Sequence, residues 1–426
     1  MKKLLVLGSD FGSYDVVSEA KKMGLYVITT DLMNTSPTKE ISDEAWTIST
    51  NDIDTLETKC KTENISGVMF GASDFNITCA RELCKRLNLP IFCPNDYSWG
   101  VARDKSEFKK VCLKVGAPVA QGYYIDEKLK REDLSNIKYP VVIKPVDKSG
   151  NRGMSYCSNE EELIKAYKYA RRVSDNSTII CEKQLHGPEW VANYVLANGD
   201  ARLLYFGREL HQKNESANLY SMITTTANGL RQWNEEVNDK VIDVFKASGF
   251  SDGIAWVETM RDEDGKFYLI EPGYRFSSET SYALYENVNG FNSIRWCIET
   301  AIGIKHTSED LPRGLDRAYK SCVASYHLFS NKEDVIESII GYEDVNSMDN
   351  VVIDLPKRKG AKVLDHANMG LIRIFAESID EINDKLKYIN SVFSIKNKKG
   401  ENMFIRFTGY EQIKEDFEEG LKEFES

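Results

Sequence analysis

Apolar and polar positions follow different rhythms in successive parts of the chain. Leu4 to Leu7 is a short apolar run that ends in Gly8-Ser9-Asp10-Phe11-Gly12, and it is followed by a helical pattern over Val16 to Met23 and a second run at Tyr26 to Thr30. Val68 to Phe70 reads as another strand. From Phe75 to Leu87 apolar residues recur at helical spacing, with Ile77, Ala80, Leu83 and Leu87 on one side. Strands alternating with helices predict βαβ units and a parallel sheet in the first domain, residues 1–97.

The middle of the chain, 98–310, is mixed. A helix over Ala102 to Lys114 should stop at Gly116-Ala117-Pro118. Tyr139 to Pro145 then reads as a strand, Asn159 to Arg172 as a helix and Thr178 to Cys181 as a strand. Trp190 to Tyr205 reads as a hairpin turning at Asn198-Gly199. Beyond Pro312, strands at Tyr319 to Phe329, Gly370 to Ala376 and Met403 to Phe407, with a helix at Ile379 to Ile389, predict a small α+β appendage over 311–426. Its acidic final dozen residues should form a solvated helix.

A chain of 426 residues divides naturally into two or three compact units. Its 42% hydrophobic and 28% charged residues are those of a soluble globular protein. The formal charge of -11 argues against the concentrated basic surface that nucleic acid demands, while leaving room for a local basic pocket. No apolar run is long enough to span a bilayer, and the stretch after Met1-Lys2-Lys3 ends too soon for a signal peptide, so the cytoplasm is expected. Nine cysteines without a CxxC pair predict reduced thiols.

Three segments carry chemistry. In Lys144-Pro145-Val146-Asp147-Lys148-Ser149-Gly150-Asn151-Arg152-Gly153, a lysine at a strand end precedes a glycine-bearing loop whose N–H groups can surround phosphate oxygens; a polar hairpin loop is the plain alternative. In Glu182-Lys183-Gln184-Leu185-His186-Gly187-Pro188-Glu189, a strand runs into a linker whose backbone can pair with an adenine edge, while carboxylates accept from an amine or from ribose hydroxyls; a charged loop would look the same. Gly8 and Gly12 suit a tight turn, and they do not complete a dinucleotide fingerprint even with Asp31 nearby.

The third segment says most. Trp256-Val257-Glu258-Thr259-Met260 and Phe267-Tyr268-Leu269-Ile270-Glu271 flank Asp264-Gly265, a hairpin-turn signal. With those two as the turn, Glu263 pairs with Lys266 and, further out, Glu258 with Glu271. Carboxylates facing each other in an apolar ribbon call for a cation or a shared proton, and magnesium with ATP phosphates meets that need. A slipped register would instead expose both. Arg275 follows closely, placed to meet a transferred phosphate.

In this order the segments resemble the ATP-grasp superfamily over nearly the whole chain. Asp104-Lys105 before the helix into Gly116-Ala117-Pro118-Val119, the clamp strand Tyr139 to Pro145 and the 182–189 hinge all fit, the hinge being similar to that of D-alanyl-D-alanine ligases and the C-terminal region to that of L-amino-acid ligases. The resemblance implies a pre-ATP-grasp domain (1–97), an ATP-grasp domain (98–310) with a lid at 118–187, and a C-terminal α+β domain (311–426). It implies ATP and Mg2+ as cofactors, with Mn2+ able to substitute. Lys105 and Lys144 would hold ATP phosphates, Ser149, Gly150 and Gly153 would cover them, Glu182, Lys183 and Leu185 would meet adenine, and Glu189 the ribose. Glu258 and Glu271 would bind the metal, and Arg275 with Lys144 would act in catalysis.

The family's Glu-x-Asn-x-Arg reads here Glu271-Pro272-Gly273-Tyr274-Arg275, so an amide ligand is missing; Gly273 lies opposite Trp256 and makes room for its indole. The implied activity is ADP-forming ligation of a small-molecule carboxylate to an amine, with no nucleic acid or membrane partner and with a homodimer as the family's option. Carboxyphosphate chemistry and a nucleotide-binding module without turnover stand as alternatives. The acceptor pocket is expected between Arg208 and Thr226 and at Ser277, Ser278 and Glu279, with Tyr220, Met222 and Trp296 as core.

Overall fold

A computed structural model describes residues 1–10, 12–147, 152–175, 177–212, 220–277, 282, 286, 289–316 and 322–425. The N-terminal segment forms a four-stranded parallel sheet in the order Glu44–Trp46, Tyr26–Thr30, Lys3–Leu7, Gly67–Phe70. Leu4 to Leu7 and Val68 to Phe70 are fully buried, as expected of parallel strands covered on both faces. The strand order reverses between Lys3–Leu7 and Gly67–Phe70. A crevice outside the carboxyl ends of these two strands is therefore where a ligand is expected.

Residues 122–183 contribute a second four-stranded sheet, Gly122–Tyr123, Ile179–Lys183, Val141–Pro145, Ser155–Cys157, all antiparallel, against which the helix Glu160–Val173 packs. It has its own small apolar core around Val141, Ile143, Leu163, Ala170 and Cys181.

The third sheet has eight antiparallel strands, from Phe267–Gly273 at one edge through Gly253–Arg261, Glu189–Ala197, Asp200–His211, Tyr220–Thr225, Cys322–Phe329 and Asn368–Ala376 to Val351–Asp354. The C-terminal region is thus no detached appendage. Cys322–Phe329 pairs directly with Tyr220–Thr225, for example Ile223 with Ser325, because an unpaired edge of the middle segment is satisfied by remote strands. The helix Ile379–Val392 closes a separate core on one face of these added strands.

Several local expectations shift. The helix foreseen over 102–114 is two, Asp96–Arg103 and Lys105–Val115, because Asp104 caps the second by accepting from Ser106 N at 2.8 Å and Glu107 N at 3.1 Å. Met403 to Phe407 forms no strand, only an isolated bridge between Ser330 and Phe404. The acidic terminal helix, Tyr410–Glu425, is not simply solvated. Its Asp416 is buried and accepts from Arg208 Nε (3.2 Å) and Asn228 Nδ2 (3.1 Å), while Glu423 accepts from Gly229 N at 3.0 Å. All nine cysteines are buried free thiols. Met222 and Trp296 are core residues; Ser278 and Glu279 lie outside the described residues.

Candidate ATP and metal site

The hairpin holding the two glutamates is built differently from the sequence count and yet pairs them. Asp262 N donates to Lys266 O (3.0 Å) and Gly265 N to Asp262 O (2.8 Å), so the loop is Glu263-Asp264-Gly265, with Gly265 at φ 77°. Arg261, Met260 and Thr259 consequently oppose Phe267, Tyr268 and Leu269, one residue away from the two-residue-turn count. A β-bulge between Thr259 and Glu258 then absorbs one residue of the partner strand. Beyond it Glu258 faces Glu271 and Trp256 faces Gly273.

A lysine ammonium answers this pair of carboxylates. Lys105, the first residue of its helix, forms an ion pair with Glu271, and both side chains are largely buried. Burial opposes the charge on Lys105, but Glu271, aided by Glu258 and Glu182, outweighs it and holds the ammonium above the usual lysine value. Burial likewise opposes ionisation of Glu271, and Lys105, with Lys144 and Arg275, keeps that carboxyl below its usual range.

One helical turn on, Lys109 lies on the same face as Lys105. It bonds Glu182 Oε1 at 2.5 Å, while Lys144 Nζ reaches Glu182 Oε2 at 2.9 Å. Glu182 is thereby bridged by two ammoniums, which against the cost of burial keep its pKa low. Lys109 is a site residue that the sequence reading missed. Its i, i+4 spacing from Lys105 was the available signal, but nothing local indicates that Glu182 would lie across from it.

The remaining candidates fall as follows. Lys183 turns its side chain outward to Asp262 (2.5 Å), which also accepts from His186 N (2.8 Å), leaving the Lys183 main chain within the 122–183 sheet. Gln184 N donates to Pro140 O, so the segment carrying the half-buried Leu185 is anchored on both sides. Glu189 begins a central strand beside Glu209 and takes part in a 3.1 Å contact with His211 Nε2. Gly153 packs on Pro145, the end of the Lys144 strand, where a Cβ would sit 2.9 Å from Pro145 Cγ. Ser149 and Gly150 lie outside the described residues.

Arg275 donates from Nε to Asp74 Oδ1 at 2.6 Å, and its guanidinium lies 5.0 Å from the centre of the Trp256 ring. Asp74 begins the helix after the Gly67–Phe70 strand, so Arg275 stands at the crevice where the parallel sheet reverses order. Asp10, in the loop after the first strand, accepts from Ser13 Oγ (2.5 Å) and Asn76 Nδ2 (2.9 Å), tying the two crevice loops together. The space beside Gly8 and Gly12 is taken by Asn76 and Tyr282 of this chain.

The donor set suits Mg2+: two hard carboxylates on facing strands, with a lysine ammonium now standing in for a cation, and further ligands to come from phosphate and water. Among the described residues no cluster of three or more His, Cys, Asp or Glu side chains offers another metal centre, and no helix is long and apolar enough to cross a membrane.

Residues 104–308 match the family described as carbamoyl-phosphate synthase L chain, ATP binding domain. The 2-oxoglutarate carboxylase small subunit of Hydrogenobacter thermophilus is 24% identical over 332 residues, 73% of this chain and 69% of that one. The chain spans under half, 45%, of biotin carboxylase 1 of Populus trichocarpa, which it matches at 25% identity over 54% of its own length. Among solved structures, the L-amino acid ligase of Bacillus licheniformis superposes with a TM-score of 0.75 at 20% identity, covering 93% of this chain and 99% of that one. The biotin carboxylase domain of the H. thermophilus 2-oxoglutarate carboxylase, in complex with MgADP, gives 0.74 at 18% identity over 94% and 91%. Residues 104–308 thus match an ATP-binding family model, and the chain is an ATP-dependent enzyme with the ATP-grasp fold.

Proposed function

We propose that the enzyme activates a small-molecule carboxylate as an acyl phosphate at the expense of ATP and passes it to an amine, releasing ADP and phosphate. The observation that carries this reading is the Lys105 ammonium paired with Glu271 where Glu271 faces Glu258, with Arg275 beside them at the reversal crevice of the N-terminal sheet. Lys105 and Lys144 are paired with carboxylates in this structure, and ATP phosphates would take over as their partners. With Lys105 so engaged, Glu271 and the facing Glu258 would hold Mg2+, which when bound would supply charge neutralisation for the phosphate oxygens. Arg275 lies next to Glu271, so its guanidinium can bear on the oxygens of the group in transit and on the carboxylate that attacks it.

No side-chain nucleophile enters; the residues act by position and charge. Glu182, Lys183 and Leu185 line the hinge proposed for adenine, Glu189 the place for ribose, and Ser149, Gly150 and Gly153 the phosphate cover. A cytoplasmic homodimer, with the dimer named for the H. thermophilus domain as its support, belongs to the same proposal.

A second reading, bicarbonate as the activated carboxylate, is favoured by the similarity to the 2-oxoglutarate carboxylase small subunit. One experiment separates them: the protein is incubated with ATP and Mg2+ and either pooled amino acids or bicarbonate, while phosphate release and new masses are followed. Amino-acid-dependent release with a condensed product supports the ligase; bicarbonate-dependent release supports the carboxylase chemistry. ATP binding with no phosphate release in any pool would sink both and leave a binding module.

A further inference from the structure

At the position where an asparagine would extend an oxygen toward a second metal ion, Gly273 offers none, and the structure shows why no side chain can. A Cβ at Gly273 would lie 2.1 Å from Trp256 Cε2 and 2.2 Å from its Cζ2, since the indole fills the place opposite on the ribbon. Trp256 is 4% exposed, and its Nε1–H is buried with no hydrogen-bond partner among the described residues. An indole nitrogen donates and has no lone pair for a metal. The Arg275 guanidinium stacked 5.0 Å from the ring centre adds a fixed positive charge in the same place, and Lys105 and Lys144 add two more around Glu271. Donors and cations have replaced oxygen ligands here, so the spot attracts an anionic oxygen and repels a further divalent ion.

We infer that the nucleotide is held with one divalent ion, at Glu258 and Glu271, and that the Trp256 indole N–H together with Arg275 binds the phosphoryl or carboxylate oxygen in place of a second ion. This rests on the ATP-dependent reading of the site. Trp256 would then be a residue peculiar to this chain's version of the chemistry, paired with the glycine that admits it. The N–H, without a partner among the described residues, would donate to the anion.

The test counts ions. Mn2+ bound to the full chain with a non-hydrolysable ATP analogue is titrated by electron paramagnetic resonance, with the bound nucleotide measured in parallel. One Mn2+ per nucleotide is expected; two would overturn the inference and leave the functional reading standing, whereas no nucleotide bound would remove both. In parallel, Trp256→Phe keeps an aromatic ring against Arg275 but lacks the N–H. It should lower kcat about tenfold while the ATP KM and the Mn2+ count stay as in the wild type. An unchanged kcat in a variant with native circular dichroism would remove the role given to the indole.

Discussion

Replacing Glu182 with glutamine keeps the shape of the side chain and removes the one charge that two buried lysines share. Lys109 and Lys144 are 14% and 13% exposed at their side chains and Glu182 is 10% exposed, so little solvent is at hand to take over. Removing one partner of a buried ion pair costs about 3–5 kcal/mol because the remaining charge stays desolvated. Here two ammoniums would be left facing each other, which places Glu182→Gln toward the upper part of that range without nucleotide. The loss should appear as opening of the 122–183 sheet, because Glu182 lies on its strand Ile179–Lys183 over its own small core, whereas Lys109 lies on a helix outside it. Native-state hydrogen exchange reads this directly, as a fall in the opening free energy of amides in Val141–Pro145 and Ile179–Lys183. Lys109→Met alone leaves Glu182 with Lys144 and should cost under about 2 kcal/mol; added to Glu182→Gln it should restore part of the loss, since the stranded charge is gone. Strictly additive effects of the two substitutions, or exchange in these strands unaltered by Glu182→Gln, would refute the shared bridge.

Three further outcomes follow from the packing. Asp354 has its carboxyl pushed up to about 6, chiefly by burial and then by Asp15, against the pull of Arg373 and Arg358. The folded state then binds the proton more tightly than the unfolded chain, so stability falls as pH rises from about 4 to about 6; Asp354→Asn should remove that slope, gaining up to about 3 kcal/mol at pH 7.5 and almost nothing at pH 4 in urea denaturation. Gly420→Ala would ordinarily strengthen a helix by roughly 1 kcal/mol, but here the Cβ would lie 2.4 Å from Asn228 N, so a lower melting temperature is expected. Gly273→Ala should displace Trp256 at a cost of about 1–3 kcal/mol, seen as a change in tryptophan fluorescence together with reduced phosphate release.

The hairpin that carries Glu258 and Glu271 shows how far a local count reaches. Asp264-Gly265 marked a turn and fixed which two strands pair, yet the turn has three loop residues and a bulge returns the register before Glu258. Two departures of one residue offset each other. The facing of Glu258 and Glu271 was therefore legible, while the pairs between them and the turn were not, because bulge position depends on how the strand fits its other neighbour, Glu189–Ala197. Lys105 and Lys144 stood out by their motifs; Lys109 did not, since its partner Glu182 is 73 residues away.

By itself the sequence determined what is encoded over a few residues: the βαβ rhythm of the first domain, the turns at Asn198-Gly199 and near Asp264-Gly265, the helix stop at Gly116, and which side chains of the recognised motifs could carry charge to a phosphate. The tertiary structure alone decided which remote edges and faces meet. It joined Cys322–Phe329 to Tyr220–Thr225, set Asp416 under Arg208, and drew Lys109, Lys144 and Glu182 together. The reason is physical: side-chain period and turn chemistry act between neighbours in the chain. Edge pairing and the neutralising of buried charge act between whichever surfaces the folded core brings into contact.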